Sequence, residues 1–280
     1  MKLALATIPP LLLASIRLLV AGLLMAGFGF LNGHRPQRGE WRGIIITAVF
    51  LFLGGHGFLY WGQARVPSGL GAVLFATIPL WMVLIEGLSP RGIRLGPRSI
   101  GGLALGTCGI LLLVGPTELL GSGRVDIPGA LAITIAALSW AVGSIYCTRA
   151  RLPSSAALAG GLEMFTGGVY LITVALLSGE SHGFHWRQVS YASLEAMAYL
   201  ALVSSMVGFG CYLWLLKVAS PARVSTYAYV TPLVAVGLGW GFNGERITWR
   251  IVGAIAMLLT AVVLIVLTRS KRVQPLASSA

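Results

Sequence analysis

His56, Tyr60 and Gln63 stand at i, i+4 and i+7 inside an apolar run, which puts an imidazole, a phenol and an amide on one helix face. A face turned to lipid has no use for three hydrogen-bonding groups, so this stripe should line something wet or pack on another polar face. An unperturbed imidazole titrates near neutrality and would suit a proton carrier; the alternative is a hydrogen-bonded core histidine. Arg17 and Glu163 lie in other apolar runs, where a charge must face protein or water. Arg17 suits contact with an anion or carboxylate, or an ion pair with Glu163 or Glu86. Glu163, with Gly160 and Gly167 at i−3 and i+4, suits proton or substrate coupling, or a buried hydrogen-bonded pair. Glu86 lies near the end of a run and can snorkel. Trp61, Trp81, Trp140, Tyr146, Tyr227 and Tyr229 extend the aromatic set begun by Tyr60, and Thr77 adds a hydroxyl. Rings of this kind stack on solutes, and equally serve as packing or interface anchors.

Other chemistries find little support. Cys108, Cys147 and Cys211 have no CxxC spacing, and His182 and His185 stand in a loop without further ligands. There is no HExxH, GxSxG or Walker A pattern, and Asp126 is the only aspartate. No cofactor and no metal are called for. An integral-membrane enzyme is the weaker alternative.

The elements that hold these residues are membrane spans. Of 280 residues 56% are hydrophobic and 10% charged, and the mean hydropathy is +0.86; a soluble domain carries roughly a quarter charged residues. The expected fold is all-α and polytopic, with nine spans near 7–31, 43–64, 68–88, 99–114, 127–148, 154–178, 194–216, 221–242 and 250–268. The first run, Leu3 to Leu31, is longer than the h-region of a signal peptide and is expected to be a span rather than a cleaved leader. The net charge of +12 resides in loops, so nucleic acid is not an expected partner. Alternate loops and the tail hold 13 Lys and Arg, and the opposite loops five. The positive-inside rule then places the C-terminus in the cytoplasm.

The chain also repeats itself. Arg98–Ala104 is similar to Arg250–Ala256 at an offset of 152, while Trp61 pairs with Trp214, and Pro79-Leu80 with Pro232-Leu233, at 153. Arg17 with Ala21-Gly22 aligns with Glu163 with Gly167-Gly168. Residues 1–115 form a first unit of four spans, 127–268 a second of five, and 269–280 a basic tail. Five is odd, so the halves insert with opposite topology, as in many secondary transporters. Pro79 and Pro232 would bend matching helices and act as hinges. Gly102/Gly106 and Gly237/Gly241 carry the GxxxG spacing for close helix packing.

Three stretches carry a family resemblance: Val66-Pro67-Ser68-Gly69 through Ala76-Thr77-Ile78-Pro79-Leu80-Trp81; Ser139–Tyr146 with Arg149, Leu152-Pro153 and Glu163-Met164; and Ser220-Pro221-Ala222, Thr226–Val230 and Pro232 to Gly244-Glu245. In these the chain resembles the EamA branch of the drug/metabolite transporter superfamily, and its YedA-like inner-membrane permeases. The resemblance implies ten helices, alternating access and a small-molecule substrate in a central cavity. The family's first helix, which usually carries a Trp-Gly pair, has no counterpart here. A shortened reading frame or a nine-helix variant would account for that. The pattern also has Asn where His56 stands and Glu where Gln63 stands, so a charge is lost at Gln63 and one becomes available at His56. Gly244-Glu245 becomes Gly92-Ile93-Arg94 in the first half, leaving only the second copy intact.

The expected function is therefore a secondary transporter that exports small metabolites, amino acids or drug-like compounds by alternating access. The alternative is a transport-inactive, truncated scaffold. Expected partners are a small-molecule substrate, the lipid bilayer, protons as coupling ion and a second copy in a homodimer. The expected location is the inner membrane.

Overall fold

Asp126, Ser155 and Ser190 each start a helix by accepting a backbone N–H three residues on, and prolines occupy the first turn of several others. In the structure, a computed structural model, residues 2–5, 7–88, 96–115, 126–182, 184–185, 189–243 and 248–267 are described. Outside them lie Arg91, Arg94, Arg124, Arg187, Arg246, the Gly244-Glu245 pair and the tail from Arg269.

After the short α1 (Lys2–Leu5) come α2 (Pro10–Leu31) and α3 (Trp41–Ala48). A π-helix, π1 (Val49–Gly57), runs on into α4 (Phe58–Gln63). The first half continues through α5 (Ser68–Phe75), α6 (Ile78–Leu88) and α7 (Pro97–Val114). The second half has α8 (Ile127–Cys147), α9 (Ala156–Leu177) and α10 (Tyr191–Tyr199). A second π-helix, π2 (Leu200–Phe209), leads to α11 (Gly210–Val218), α12 (Pro221–Val224), α13 (Tyr227–Asn243) and α14 (Trp249–Leu267). Among the described residues all regular structure is helical, and eight helices are long and apolar enough to cross a membrane. The expected ninth span is α13, which has 17 residues.

The span expected at 68–88 is broken. Pro79 has no N–H for the Phe75 carbonyl, so α5 stops there and α6 restarts at Ile78. Thr77 closes the gap by donating its hydroxyl to the Leu74 carbonyl at 2.6 Å. The second half breaks in the same manner between α12 and α13, where Thr226 donates to Arg223 O at 2.7 Å. This second break lies six residues before Pro232, which stands inside α13.

Two helix pairs hold the halves together. Along α2 and α9 the glycines remove side chains where the backbones meet. A Cβ on Gly22 would stand 2.5 Å from Phe165 N, and one on Gly29 2.8 Å from Leu158 Cβ. Likewise a Cβ on Gly168 would stand 2.8 Å from Leu19 Cγ. As the number rises on α2 it falls on α9, so the two run antiparallel. The contacts of Gly102 with Ile265 and of Gly109 with Leu258 make α7 and α14 antiparallel too. Gly106 packs on the Tyr229 ring of α13 rather than on α14. At Gly237 a Cβ would meet nothing, so the packing expected from Gly237/Gly241 is not made at Gly237.

The entry to α2 is fixed from the far side of the chain. Leu11 N donates to Glu180 Oε2 at 2.9 Å, and the Thr7 hydroxyl donates to Ser193 Oγ at 2.8 Å. Thus a carboxylate from the connection after α9 satisfies one of the free amides that open α2.

Candidate functional site

Each π-helix carries a side chain that bonds the carbonyl five residues back. His56 Nδ1 meets Leu51 O at 3.2 Å, and Ser205 Oγ donates to Leu200 O at 3.0 Å. Because a carbonyl only accepts, Nδ1 of His56 carries the hydrogen and Nε2 is left for other work. π-helical turns are uncommon and gather at functional sites. Here both flank one cavity.

The cavity has a volume of about 480 Å³. Arg17 and Leu18 come from α2, Phe52 and His56 from π1, Trp140 from α8, and Met164 from α9. Opposite them stand Ser204, Ser205, Gly208 and Phe209 of π2, Tyr212 of α11, and Tyr227 and Thr231 of α13. Both halves of the chain therefore contribute to its wall. Its rings form a continuous set. His56 lies 5.3 Å from both Phe52 and Trp140, Trp140 lies 5.6 Å from Tyr212, and Tyr212 lies 5.6 Å from Tyr227. Ser144 and Tyr212 hydroxyls pair at 2.5 Å and fix the phenol.

Ser204, Gly208, Cys211, Leu215 and Thr231 line the cavity yet stay exposed. The opening therefore lies along the seam between π2–α11 and α13. α8 packs across π1, α4, α5 and α6. No helix among the described residues covers π2, α11, α12 and α13 in that way.

Arg17 is buried and lines the cavity. Its guanidinium carbon stands 5.4 Å from the Tyr60 ring centroid. Its Nε has no hydrogen-bond partner, and Glu163, which the sequence offered as an ion-pair partner, bonds it through neither carboxylate oxygen. Glu163 is fully buried, neither of its carboxylate oxygens has a hydrogen-bond partner, and it does not line the cavity.

Of the residues expected at the site, Arg17, His56, Trp140 and Tyr227 are brought together in the cavity wall, and Tyr60 lies just behind it, 6.1 Å from His56. The others stand elsewhere. Trp61 stacks on Arg65 at 3.6 Å, and Gln63 ends α4 half-buried near Gly71. Thr77 caps the helix break, Trp81 packs half-buried against the core, and Tyr146 sits half-buried at the end of α8. Tyr229 is fully buried against Gly106 and α7. Sequence reasoning missed Phe52, Phe209, Tyr212 and the serines of π2. The i−5 side-chain bond at Ser205 has no sequence signal.

A helical membrane protein whose two halves enclose one central cavity is the architecture of a solute carrier. The model of the EamA-like transporter family matches residues 1–115 and 127–267, and the chain belongs to this family, within the drug/metabolite transporter superfamily. The "Uncharacterized inner membrane transporter YedA" of Escherichia coli K12 is 36% identical over 264 residues, which is 92% of this chain and 82% of that one. The "Uncharacterized transporter YoaV" of Bacillus subtilis is 23% identical over 97% of this chain and 92% of its own length. The "Protein PecM" of Dickeya dadantii is 25% identical over 96% of this chain and 89% of its own. A crystal structure of a protein 18% identical in sequence shares the fold with a TM-score of 0.75, covering 93% of this chain and 89% of that one.

Proposed function

We propose that the protein is a secondary transporter that exports small solutes across the inner membrane by alternating access through the cavity, with its C-terminus in the cytoplasm. The observation that carries this reading is the shared cavity wall, in which Arg17 and His56 of the first half face Phe209 and Tyr227 of the second.

Internal symmetry supports it. Shifting by 146 carries α2 onto α9, Arg17 onto Glu163 and Gly22 onto Gly168. The same shift exchanges the pair Gly22–Phe165 with the pair Gly168–Leu19, and both contacts exist. Such reciprocity is what a two-fold axis produces. Because α2 and α9 run antiparallel, such an axis would lie across them and the repeat would be an inverted one. The matched π-helices and the matched breaks at Thr77 and Thr226 extend the relation. Rocking of one half against the other would expose the cavity to each side in turn, with Pro79 beside the first break and Pro232 within α13 as hinges. If a proton is coupled, His56 in the wall would carry it, with Glu163 buried behind the wall as the second candidate.

The test is solute flux from liposomes containing the purified protein, over a panel of amino acids, metabolites and drug-like compounds, with and without a pH gradient. Faster release of at least one compound than from empty liposomes is expected. Equal rates for every compound would leave a membrane scaffold as the better reading.

A further inference from the structure

We propose that the cavity selects a small monoanion, an aromatic or otherwise apolar body with a single carboxylate, and discriminates against cations. This rests on the transport reading, which it deepens by naming a substrate class.

Three features of the wall converge. First, its buried groups without partners are donors. Arg17 Nε lacks an acceptor, and the indole N–H of Trp140 reaches only the Tyr212 and Tyr227 hydroxyls, outside full hydrogen-bond geometry. A buried donor left unsatisfied is costly, and a charged one more so. An acceptor brought in by the solute would satisfy Arg17 and offer the Trp140 N–H a better-aligned partner.

Second, no Asp or Glu is among the described residues that line the cavity. Glu163 shares the membrane with Arg17 but not its surroundings, since its electrostatic neighbour is Lys217. The sequence suggested a site with one arginine and one glutamate, suited to zwitterions and cations as readily as to anions. With Glu163 removed from the wall, the cavity keeps the cation and loses its counterion. An ammonium group entering there would meet Arg17 and no carboxylate.

Third, the rest of the wall is aromatic. Phe52 and Phe209 stand 5.1 Å apart in an edge-on arrangement, and Phe209 lies 6.4 Å from Trp140. These faces and edges accept a flat apolar body, while the guanidinium fork matches a carboxylate in two parallel hydrogen bonds. His56, whose Nδ1–H is committed to Leu51 O, can accept from a hydroxyl on the same body.

The test uses three probes of one shape: 3-phenylpropionate, 3-phenylpropanol and 3-phenylpropylammonium. Binding to the detergent-purified full chain is read by tryptophan fluorescence and calorimetry, and release from liposomes is measured in parallel. The anion should bind about tenfold or more tighter than the cation, with the alcohol between them. Arg17→Gln should abolish the preference and Arg17→Lys should retain part of it. Trp140→Phe, which keeps a ring but loses the N–H, should weaken anion binding alone, and it serves if Arg17→Gln fails to fold. Equal or tighter binding of the cation, no binding of any probe, or an anion affinity unmoved in both Arg17→Gln and Trp140→Phe would overturn the proposal. Anion binding without release from liposomes would uphold the site and sink the transport reading. Flux of other solutes without anion preference would do the reverse.

Discussion

Arg17 places its guanidinium carbon 5.4 Å from the centre of the Tyr60 ring, joining α2 to α4 behind the cavity wall. The ring face offers the cation partial compensation, on the order of 1–2 kcal/mol when desolvated, and leaves its hydrogen-bonding fork unspent. Tyr60→Leu should therefore weaken solute affinity severalfold by letting the guanidinium swing, with a smaller effect than Arg17→Gln. Titration of each variant with the transported solute measures both. An effect of Tyr60→Leu as large as that of Arg17→Gln would mean that the ring itself binds the solute.

The contact between α2 and α9 depends on the absence of side chains. Gly22→Val and Gly168→Val would each push a branched side chain into the facing helix, against Phe165 and Leu19. Overpacking of this kind costs roughly 1–3 kcal/mol or more, and the melting temperature in detergent should fall by several degrees. Gly27→Ala, on the same α2 but with nothing within 4 Å, should be silent or slightly stabilising.

Pro232 interrupts the hydrogen-bond ladder of α13 by withholding an N–H from the Ala228 carbonyl. Pro232→Ala should complete the ladder, raise the melting temperature and slow solute release severalfold while leaving affinity nearly unchanged. Pro79→Ala should have a smaller effect on stability, because Pro79 sits in the first turn of α6, where few amides have intrahelical partners anyway. Unchanged release rates in both variants would remove the prolines from the mechanism.

Much of the fold was legible because membrane spans announce themselves by hydropathy. The helix equivalences proposed above start from Arg98/Arg250 and Pro79/Pro232. In the site, Arg17, His56, Trp140 and Tyr227 stood out as polar or amphipathic groups in apolar runs. Phe52, Phe209 and Tyr212 did not, because an aromatic residue in a span reads as packing. Gln63 was placed on the His56 face by α-helical spacing. Yet it ends α4, and the π-helical turns of π1 shift the register of what precedes it. The break at Ala76–Thr77 was flagged only by Pro79, and the break before Tyr227 had no proline beside it.

Burial holds the Glu180 carboxyl above its ordinary value of 4.5, outweighing the Leu11 and Leu12 amides and the charge of Arg65, which act the other way. The folded chain then holds this proton more tightly than the unfolded chain. The group's contribution to stability is fully present below the ordinary value and is lost as pH rises through the raised one. The melting temperature of wild type relative to Glu180→Gln should accordingly fall as pH rises above the ordinary value of 4.5. A difference that grows with pH would show that the amide bonds at the start of α2 outweigh burial.

Gly208 offers the most direct test of the cavity as the transport path. It lines the cavity, and a Cβ there would meet only Val203 O at 3.6 Å, so Gly208→Trp fills the space without disturbing the helix packing. Liposomes loaded with a mixed pool of small metabolites and drug-like compounds are compared with empty-membrane controls by mass spectrometry of what escapes. Wild type should release at least one compound faster than the control, and Gly208→Trp, folded and with an unchanged melting temperature, should not. Release by Gly208→Trp at the wild-type rate would place the path elsewhere, and release from neither would contradict transport by this chain.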